Sequence, residues 1–303
     1  MEDILAPRYI DPVAARKHLE ALRWPDGPEC PHCGSLNATR LEGKKHRDGL
    51  IQCNDCREQY TVTVGTVFER SKIALNKWLL CNHLLVSSKK GISAHQIHRM
   101  LGVTYKTAWF MCHRLREAMK PGPNEGGPLG GPDKFVEVDE TFVGGKQKNR
   151  ARKDVPPKMV VVSLVERDGK ARSFHVANIK ARDLRGLIVT NVDRSSHLMS
   201  DEAAVYTWVG REFASHAKVN HSAGEYVRGV DHSNTAENFF SIFKRGYVGT
   251  YHHMSEAHLH RYTAEFDFRY NTKDISDRER ADLSLKAIEG KRLTYRRPGQ
   301  LAA

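Results

Sequence analysis

The sequence predicts an α+β multidomain chain, and three observations carry that reading. Four cysteines near the N-terminus form two Cys-x-x-Cys pairs, Cys30/Cys33 and Cys53/Cys56. From Arg70 to Arg116 there are nine Lys or Arg and no Asp or Glu, with apolar residues at helical spacing. After a Gly/Pro-rich linker, strand-like and helix-like segments alternate in an order that gives particular acidic residues defined places. A chain of 303 residues has room for two or three domains and a substantial core. Its formal net charge of +12 favours a polyanionic partner, most simply nucleic acid. No run of 18 apolar residues occurs and the start lacks a signal-peptide pattern, so a soluble, cytoplasmic protein is expected, with no membrane partner.

Residues 12–23 read as an amphipathic helix with Pro12 in its first turn, ended by Trp24-Pro25-Asp26-Gly27-Pro28. Nineteen residues separate Cys33 from Cys53. Two knuckles at that separation are the pattern of a four-thiolate zinc ribbon, each turn setting two sulfurs about 2.3 Å from one Zn²⁺. Cys30, Cys33, Cys53 and Cys56 would close the tetrahedron, so the metal is structural and lets a segment too small for its own core fold. A redox Cys-x-x-Cys would account for one pair and leave the other unexplained. His32 is then only a knuckle residue. Gln59 to Phe68 carries the β-branched alternation of closing ribbon strands.

Leu75, Trp78, Leu79, Leu84 and Leu85 mark a helix over residues 75–87. Ser93 can cap a second helix with Ile97 and Leu101 inward, and Gly102-Val103-Thr104 forms a turn. Thr104 can cap a third, with Ala108, Cys112, Leu115 and Met119 on one face. Helix, Gly-containing turn and helix on a uniformly basic background describe a helix-turn-helix whose second helix enters a DNA major groove. Tyr105, Lys106 and Thr107 would then meet base edges, and Arg114 a phosphate. The plainer alternative is a helical hairpin with a solvated basic face. Cys81 and Cys112 read as small core residues.

Residues 121–132, rich in Gly and Pro, mark a domain boundary. The expected division is 1–68 (N-terminal helix and ribbon), 69–120 (helix-turn-helix), 121–133 (linker), 134–271 (catalytic domain) and 272–303 (basic tail). Past the linker, strands around Val136–Val143, Met159–Val165 and Ser173–Ala177 form an antiparallel meander. A helix follows from Asp183 to Val192, then a strand from His197 to Ser200 and a helix from about Ala203 to Phe213. A strand at Lys218–Asn220 and helices Thr235–Arg245 and Ser255–Tyr270 complete the domain. That order is ribonuclease-H-like.

It gives three carboxylates particular places: Asp139 on the first strand, Asp201 ending the fourth, and Glu237 on a late helix. Sixty-one residues separate Asp139 from Asp201, and 35 separate Asp201 from Glu237. Hard oxygen ligands of this kind hold Mg²⁺ and leave it room for water and phosphate. Glu140 should face away, since adjacent strand residues point to opposite sheet faces. Glu202, at a strand end, is less constrained. The histidines, including His216, His221, His232, His252, His253, His258 and His260, form no convincing metal pattern, although His232 falls five residues before Glu237. The tail, Lys273 to Arg297, mixes eight basic with five acidic residues and reads as a solvated helix, with Arg296 and Arg297 free to touch DNA.

These residues resemble the transposases of bacterial insertion sequences, in the zinc-ribbon group with a DDE catalytic domain (ISXO2-like). The resemblance covers nearly the whole chain through Cys30-Pro-His-Cys33, Thr66-Val-Phe-Glu-Arg-Ser-Lys72, Val138-Asp-Glu-Thr-Phe-Val-Gly-Gly145, Ser200-Asp-Glu202 and His232-Ser-Asn-Thr-Ala-Glu-Asn-Phe-Phe-Ser-Ile-Phe-Lys-Arg-Gly246. It implies that Asp139, Asp201 and Glu237 bind the catalytic Mg²⁺ (Mn²⁺ as a substitute), with Lys244 near the DNA phosphates. In part of the group an Asn takes the place of the third acid, so Asn234, one turn before Glu237, stays an alternative ligand. It further implies double-stranded DNA partners (element ends and target), a homo-oligomer on DNA, and a nucleoid-associated location. Set against it stands a DNA-binding regulator of the same fold whose catalytic domain is silent, or a plain nuclease that cleaves without joining.

Overall fold

The computed structural model describes residues 4–122, 126–144, 157–201, 205–219 and 233–294. The chain divides into two compact units, residues 1–120 with 274–303, and residues 121–273.

The first unit begins with α1 (Pro7–Ile10) and α2 (Pro12–Arg23). Asp11 starts α2 by accepting the N–H groups of Val13 and Ala14, both at 3.0 Å, while Pro12 takes a position whose N–H needs no partner. Strands β1 (Ala38–Arg40), β2 (Ile51–Cys53) and β3 (Gln59–Tyr60) form a small antiparallel sheet in that order. The closing strand expected to reach Phe68 stops at Tyr60. Beyond it, Thr66 donates its hydroxyl to Thr63 O at 2.7 Å and accepts the N–H of Phe68 at 3.1 Å, folding the chain into turns. Helices α3 (Leu75–Ser87), α4 (Ala94–Leu101) and α5 (Tyr105–Met119) follow. Ser93 and Thr104 cap α4 and α5 by accepting the N–H groups of Gln96 and Thr107. Between them Gly102 ends α4 in the left-handed region at φ 60, where a side chain would be strained. Trp78, Leu79, Leu85, Ile97 and Leu115 fill the core, and Cys81 and Cys112 are buried among them.

The second unit is built on β4 (Phe135–Val143), β5 (Met159–Glu166) and β6 (Ala171–Val176), an antiparallel meander. Helix α6 (Ala181–Asn191) crosses to β7 (His197–Asp201), which lies parallel to β4. The short α7 (Tyr206–Gly210) leads to β8 (Ser215–Val219), parallel to β7. The sheet order is β6-β5-β4-β7-β8. Helix α8 (Asn234–Gly246), a π-helical turn at Tyr247–Tyr251 and α9 (Glu256–Asn271) close the unit. Both faces of the sheet are covered. Val136, Val138, Val162 and Leu164 pack against Leu184 and Ile188 of α6 and Tyr206 of α7. Val143, Val161 and Val165 pack against Phe239, Phe240 and Phe243 of α8 and Phe266 of α9. Double coverage explains why β5 is apolar without alternation. Several bounds differ from expectation: β6 and α6 each start two residues earlier, at Ala171 and Ala181, α7 is shorter, and β8 starts at Ser215 instead of Lys218.

The tail corrects a larger expectation. Its helix α10 (Asp277–Lys286) is not a solvated appendage but packs on α3 within the first unit. A capping box between Ser276 and Glu279 starts it. Asn82 of α3 donates to Ala281 O at 3.0 Å and accepts from the Ser284 hydroxyl at 2.6 Å. Ala281 and Leu285, spaced i, i+4, are buried on one face, and Ile288 is buried just past the helix end. Arg296 and Arg297 lie outside the described residues.

Candidate active site

Val138 pairs with Ser200 in the parallel β4–β7 ladder, so Asp139 and Asp201 stand next to each other one residue further along. Val136, Val138 and Leu198 face α6 and α7, which turns Asp139 and Asp201 towards the opposite face, where α8 lies. Glu237 sits in the first turn of α8, exposed, and its own N–H donates to Ser233 O at 3.0 Å. Burial pushes the Asp139 carboxyl up to about 7. The N–H of Glu140, 2.7 Å from Asp139 Oδ1, acts the other way, while the carboxylates of Glu140, Asp201 and Glu237 push it further up. Asp139 thus lies in the fields of both other expected acids, a crowding of negative charge that a cation would relieve. Among the described residues, only the four cysteines have ligand atoms all within 4.8 Å of one another, so the acids do not form so tight a set.

Glu140 occupies the other face, as its strand parity requires. Its Oε2 accepts the Tyr206 hydroxyl from α7, and burial raises its carboxyl. Sequence reasoning missed Glu137. It is fully buried, two residues before Asp139 and on the same face. Glu137 Oε1 accepts from Arg167 Nε at 2.6 Å, and Oε2 accepts the N–H of Ala236 at 2.9 Å. One carboxylate therefore ties the start of α8, with Asn234 and Glu237, to the strand that carries Asp139. The signal was present as a Glu at even spacing from Asp139 in an apolar strand, a residue type rarely buried unless paired.

Asn234 is the exposed first residue of α8, and Lys244 lies exposed seven residues after Glu237, on the same side of the helix. Glu202, His221 and His232 fall outside the described residues. His216 is half-buried with Nε2 2.9 Å from Ser200 Oγ, and burial lowers its pKa. Among the described residues no histidine belongs to a possible metal-holding group.

The cysteine quartet is the clearer metal site. Cys30 and Cys56 sulfurs lie 3.7 Å apart, and those of Cys33 and Cys53 lie 3.6 Å apart. A tetrahedron with Zn–S bonds of about 2.3 Å has an edge of about 3.8 Å, so the four thiols fit Zn²⁺. A disulfide would need about 2.05 Å. The backbone N–H of Cys56 is the main cause lowering the Cys53 thiol to about 7, whereas the Cys33 and Cys56 thiols, crowded by their neighbours, are raised.

Residues 11–59 match the transposase zinc-ribbon domain, and residues 128–271 match the ISXO2-like transposase domain. Two stretches of the chain are thus similar to transposase domains. An uncharacterized protein in the transposable element ISH50 of Halobacterium salinarum is 28% identical over 282 residues, covering 86% of this chain and 91% of that protein. Male abnormal protein mab-31 of Caenorhabditis elegans is 25% identical over 197 residues, covering 58% of this chain and 45% of that protein. No helix among the described residues is long and apolar enough to cross a membrane.

Of the residues expected to meet DNA, two are displayed at the N-terminal end of α5. Tyr105 is exposed and stacks on His95 with centroids 4.1 Å apart, and Lys106 is exposed beside it. Thr107 is half-buried, its hydroxyl 2.9 Å from that of Thr104. Arg114 is a correction. It is buried, donating from Nε to Leu293 O at 3.2 Å and from Nη1 to Glu69 O at 3.1 Å, with its guanidinium over the Phe110 ring. It shares the inward surface of α5 with Met111, Cys112 and Leu115, so it braces the unit and is not presented to a phosphate.

Proposed function

We propose that the protein is a DNA transposase that binds the ends of an insertion sequence and carries out metal-dependent cleavage and strand transfer. The observation that carries this reading is the adjacency of Asp139, in the middle of β4, and Asp201, at the end of the parallel strand β7, on the face where α8 begins with Glu237. The sheet order β6-β5-β4-β7-β8 supports a ribonuclease-H-like catalytic domain. The capped α4–turn–α5 unit, with Tyr105 and Lys106 at the start of α5, supports a helix-turn-helix that reads DNA.

Asp139, Asp201 and Glu237 would hold Mg²⁺, with Mn²⁺ as a substitute and Asn234 as an alternative to Glu237. The donor set fits in kind, since all are hard oxygens, and the Asp139 carboxyl, raised chiefly by burial, also feels the charges of Glu140, Asp201 and Glu237. Bound there, Mg²⁺ supplies Lewis-acid activation of the attacking oxygen and charge stabilisation of the leaving oxygen. Glu137 holds the first turn of α8 to β4, which fixes Glu237 relative to Asp139. Lys244, from the outer side of α8, would pair with a DNA phosphate and orient the strand. In the first step water attacks the phosphodiester at the element end and frees a 3′-hydroxyl. That hydroxyl then attacks a target phosphodiester, forming one P–O bond as another breaks. Joining two ends calls for a homo-oligomer on DNA.

The test is incubation of the purified protein with labelled duplexes carrying the element's terminal sequences, target plasmid and Mg²⁺. Nicked ends and joined products are expected. Binding without any product would leave a DNA-binding regulator, and cleavage without joining a nuclease.

A further inference from the structure

The outer face of α2 and the loop between β1 and β2 enclose a cleft of about 480 Å³. Arg16, Lys17, Arg40, His46 and Arg47 line it, and Glu20 is buried at its wall. Neither the zinc shell nor the α4–α5 pair requires cations at this place. Glu20 divides its carboxylate between two of them: Oε1 accepts from Arg16 Nη1 at 3.0 Å, and Oε2 lies 2.9 Å from Arg40 Nη2. One negative charge thus aims two guanidiniums and offsets only one of them. The loop opposite is ordered by its own backbone. Leu41 N–H donates to Leu50 O at 2.9 Å, His46 N–H to Gly43 O at 3.1 Å, and Leu50 N–H to Arg47 O at 3.2 Å. Gly49 lets it close on α2, since it adopts φ +75 and a Cβ there would lie 2.4 Å from Arg16 Cδ. Lys44 and Lys45 are exposed on the same loop. Against these six Lys and Arg stand Glu20, Glu42 and Asp48, leaving a local net charge of +3.

We propose that this cleft is a second DNA contact, a seat for backbone phosphates apart from the helix-turn-helix. It rests on the reading above that the chain binds duplex DNA. Preset guanidiniums suit phosphate oxygens, because their planar forks donate two N–H bonds to one group. No Phe, Tyr or Trp lines the cleft, so it offers no stacking platform for bases. A seat of this kind holds the duplex in register without reading its sequence. The ribbon then does more than fold around zinc: its β1–β2 loop closes one wall of a phosphate clamp.

The test is duplex binding by the full-length, zinc-loaded protein across a range of salt concentrations, using a short DNA of mixed sequence. The Lys17→Ala/Arg40→Ala/Arg47→Ala variant should bind at least about tenfold more weakly at low salt. Its log–log salt slope should flatten by about 2 to 3, at about 0.9 for each phosphate no longer neutralised. Zinc content should stay at the wild-type value. If the triple variant loses zinc, Lys44→Gln/Lys45→Gln, confined to exposed loop positions, carries the same test with a slope change of about 1 to 2. Wild-type affinity and slope in a zinc-loaded variant would overturn the proposal and leave an acidic protein surface as the occupant. A wild-type protein that binds no duplex would refute the transposase reading itself, which is a separate result.

Discussion

Replacing Asp139 with Asn separates what this carboxylate does for the reaction from what it costs the fold. In the folded protein its pKa rises from 3.8 to about 7 through burial and the neighbouring acids. A shift of about three units corresponds to roughly 4 kcal/mol at 1.36 kcal/mol per unit. The folded state therefore holds the proton more tightly than the unfolded chain does. The resulting stability is fully present below about pH 4 and is lost as pH rises through about 7. The Asp139→Asn side chain would carry no charge at any pH, and its amide oxygen would still accept the N–H of Glu140. Urea unfolding should be followed by circular dichroism in magnesium-free buffer, without chelator so that the zinc stays. At pH 8 the Asp139→Asn variant should be more stable by up to about 4 kcal/mol, and near pH 4 the two proteins should coincide. Asp267, also raised to about 7, chiefly by burial, is common to both proteins and cancels in the difference. Added Mg²⁺ should stabilise the wild type and not the variant. A variant no more stable than wild type at pH 8 would falsify the crowded-acid account of this site.

Three further outcomes concern individual side chains. Glu137→Ala leaves the Arg167 guanidinium and the Ala236 N–H facing a gap, so unfolding experiments should show a loss of about 3–5 kcal/mol, with Glu137→Gln much milder. Cys53→Ser removes one of four thiolates, and metal analysis should find zinc falling from about one to near zero per chain, with unfolding of the first unit. Leu285→Ala opens a cavity where α10 meets α3 and should cost about 2–5 kcal/mol in the first unit. An unchanged stability there would restore the reading of the tail as a solvated helix.

Much of this was legible in sequence because the signals were local. Helices α3, α4 and α5 start where Ser93, Thr104 and the apolar spacing place them. Cys-x-x-Cys pairs announce their metal by ligand count alone. Strand parity sufficed to turn Glu140 away from Asp139 and, applied two residues back from Asp139, would have found Glu137. What escaped were partners distant in the chain. Arg114 reads as a phosphate ligand because its phase lies off the Ala108–Cys112–Leu115 face; it is buried because α5 is covered all round from Met111 to Arg116, and the carbonyls that take it come from Glu69 and Leu293. The apolar face of α10 was hidden among thirteen charged residues of the tail and became visible only through Asn82 of α3. Thr66 turns the chain after the ribbon strand by bonding the backbone of Thr63 and Phe68 through its hydroxyl, which β-propensity does not register.

The central claim is that Asp139 and Asp201 act together in phosphodiester chemistry, and strand transfer by single variants tests it most directly. Purified Asp139→Asn and Asp201→Asn proteins, zinc-loaded and binding element ends as the wild type does, should give no detectable joined product with Mg²⁺. Transfer at the wild-type level by either variant would contradict the account.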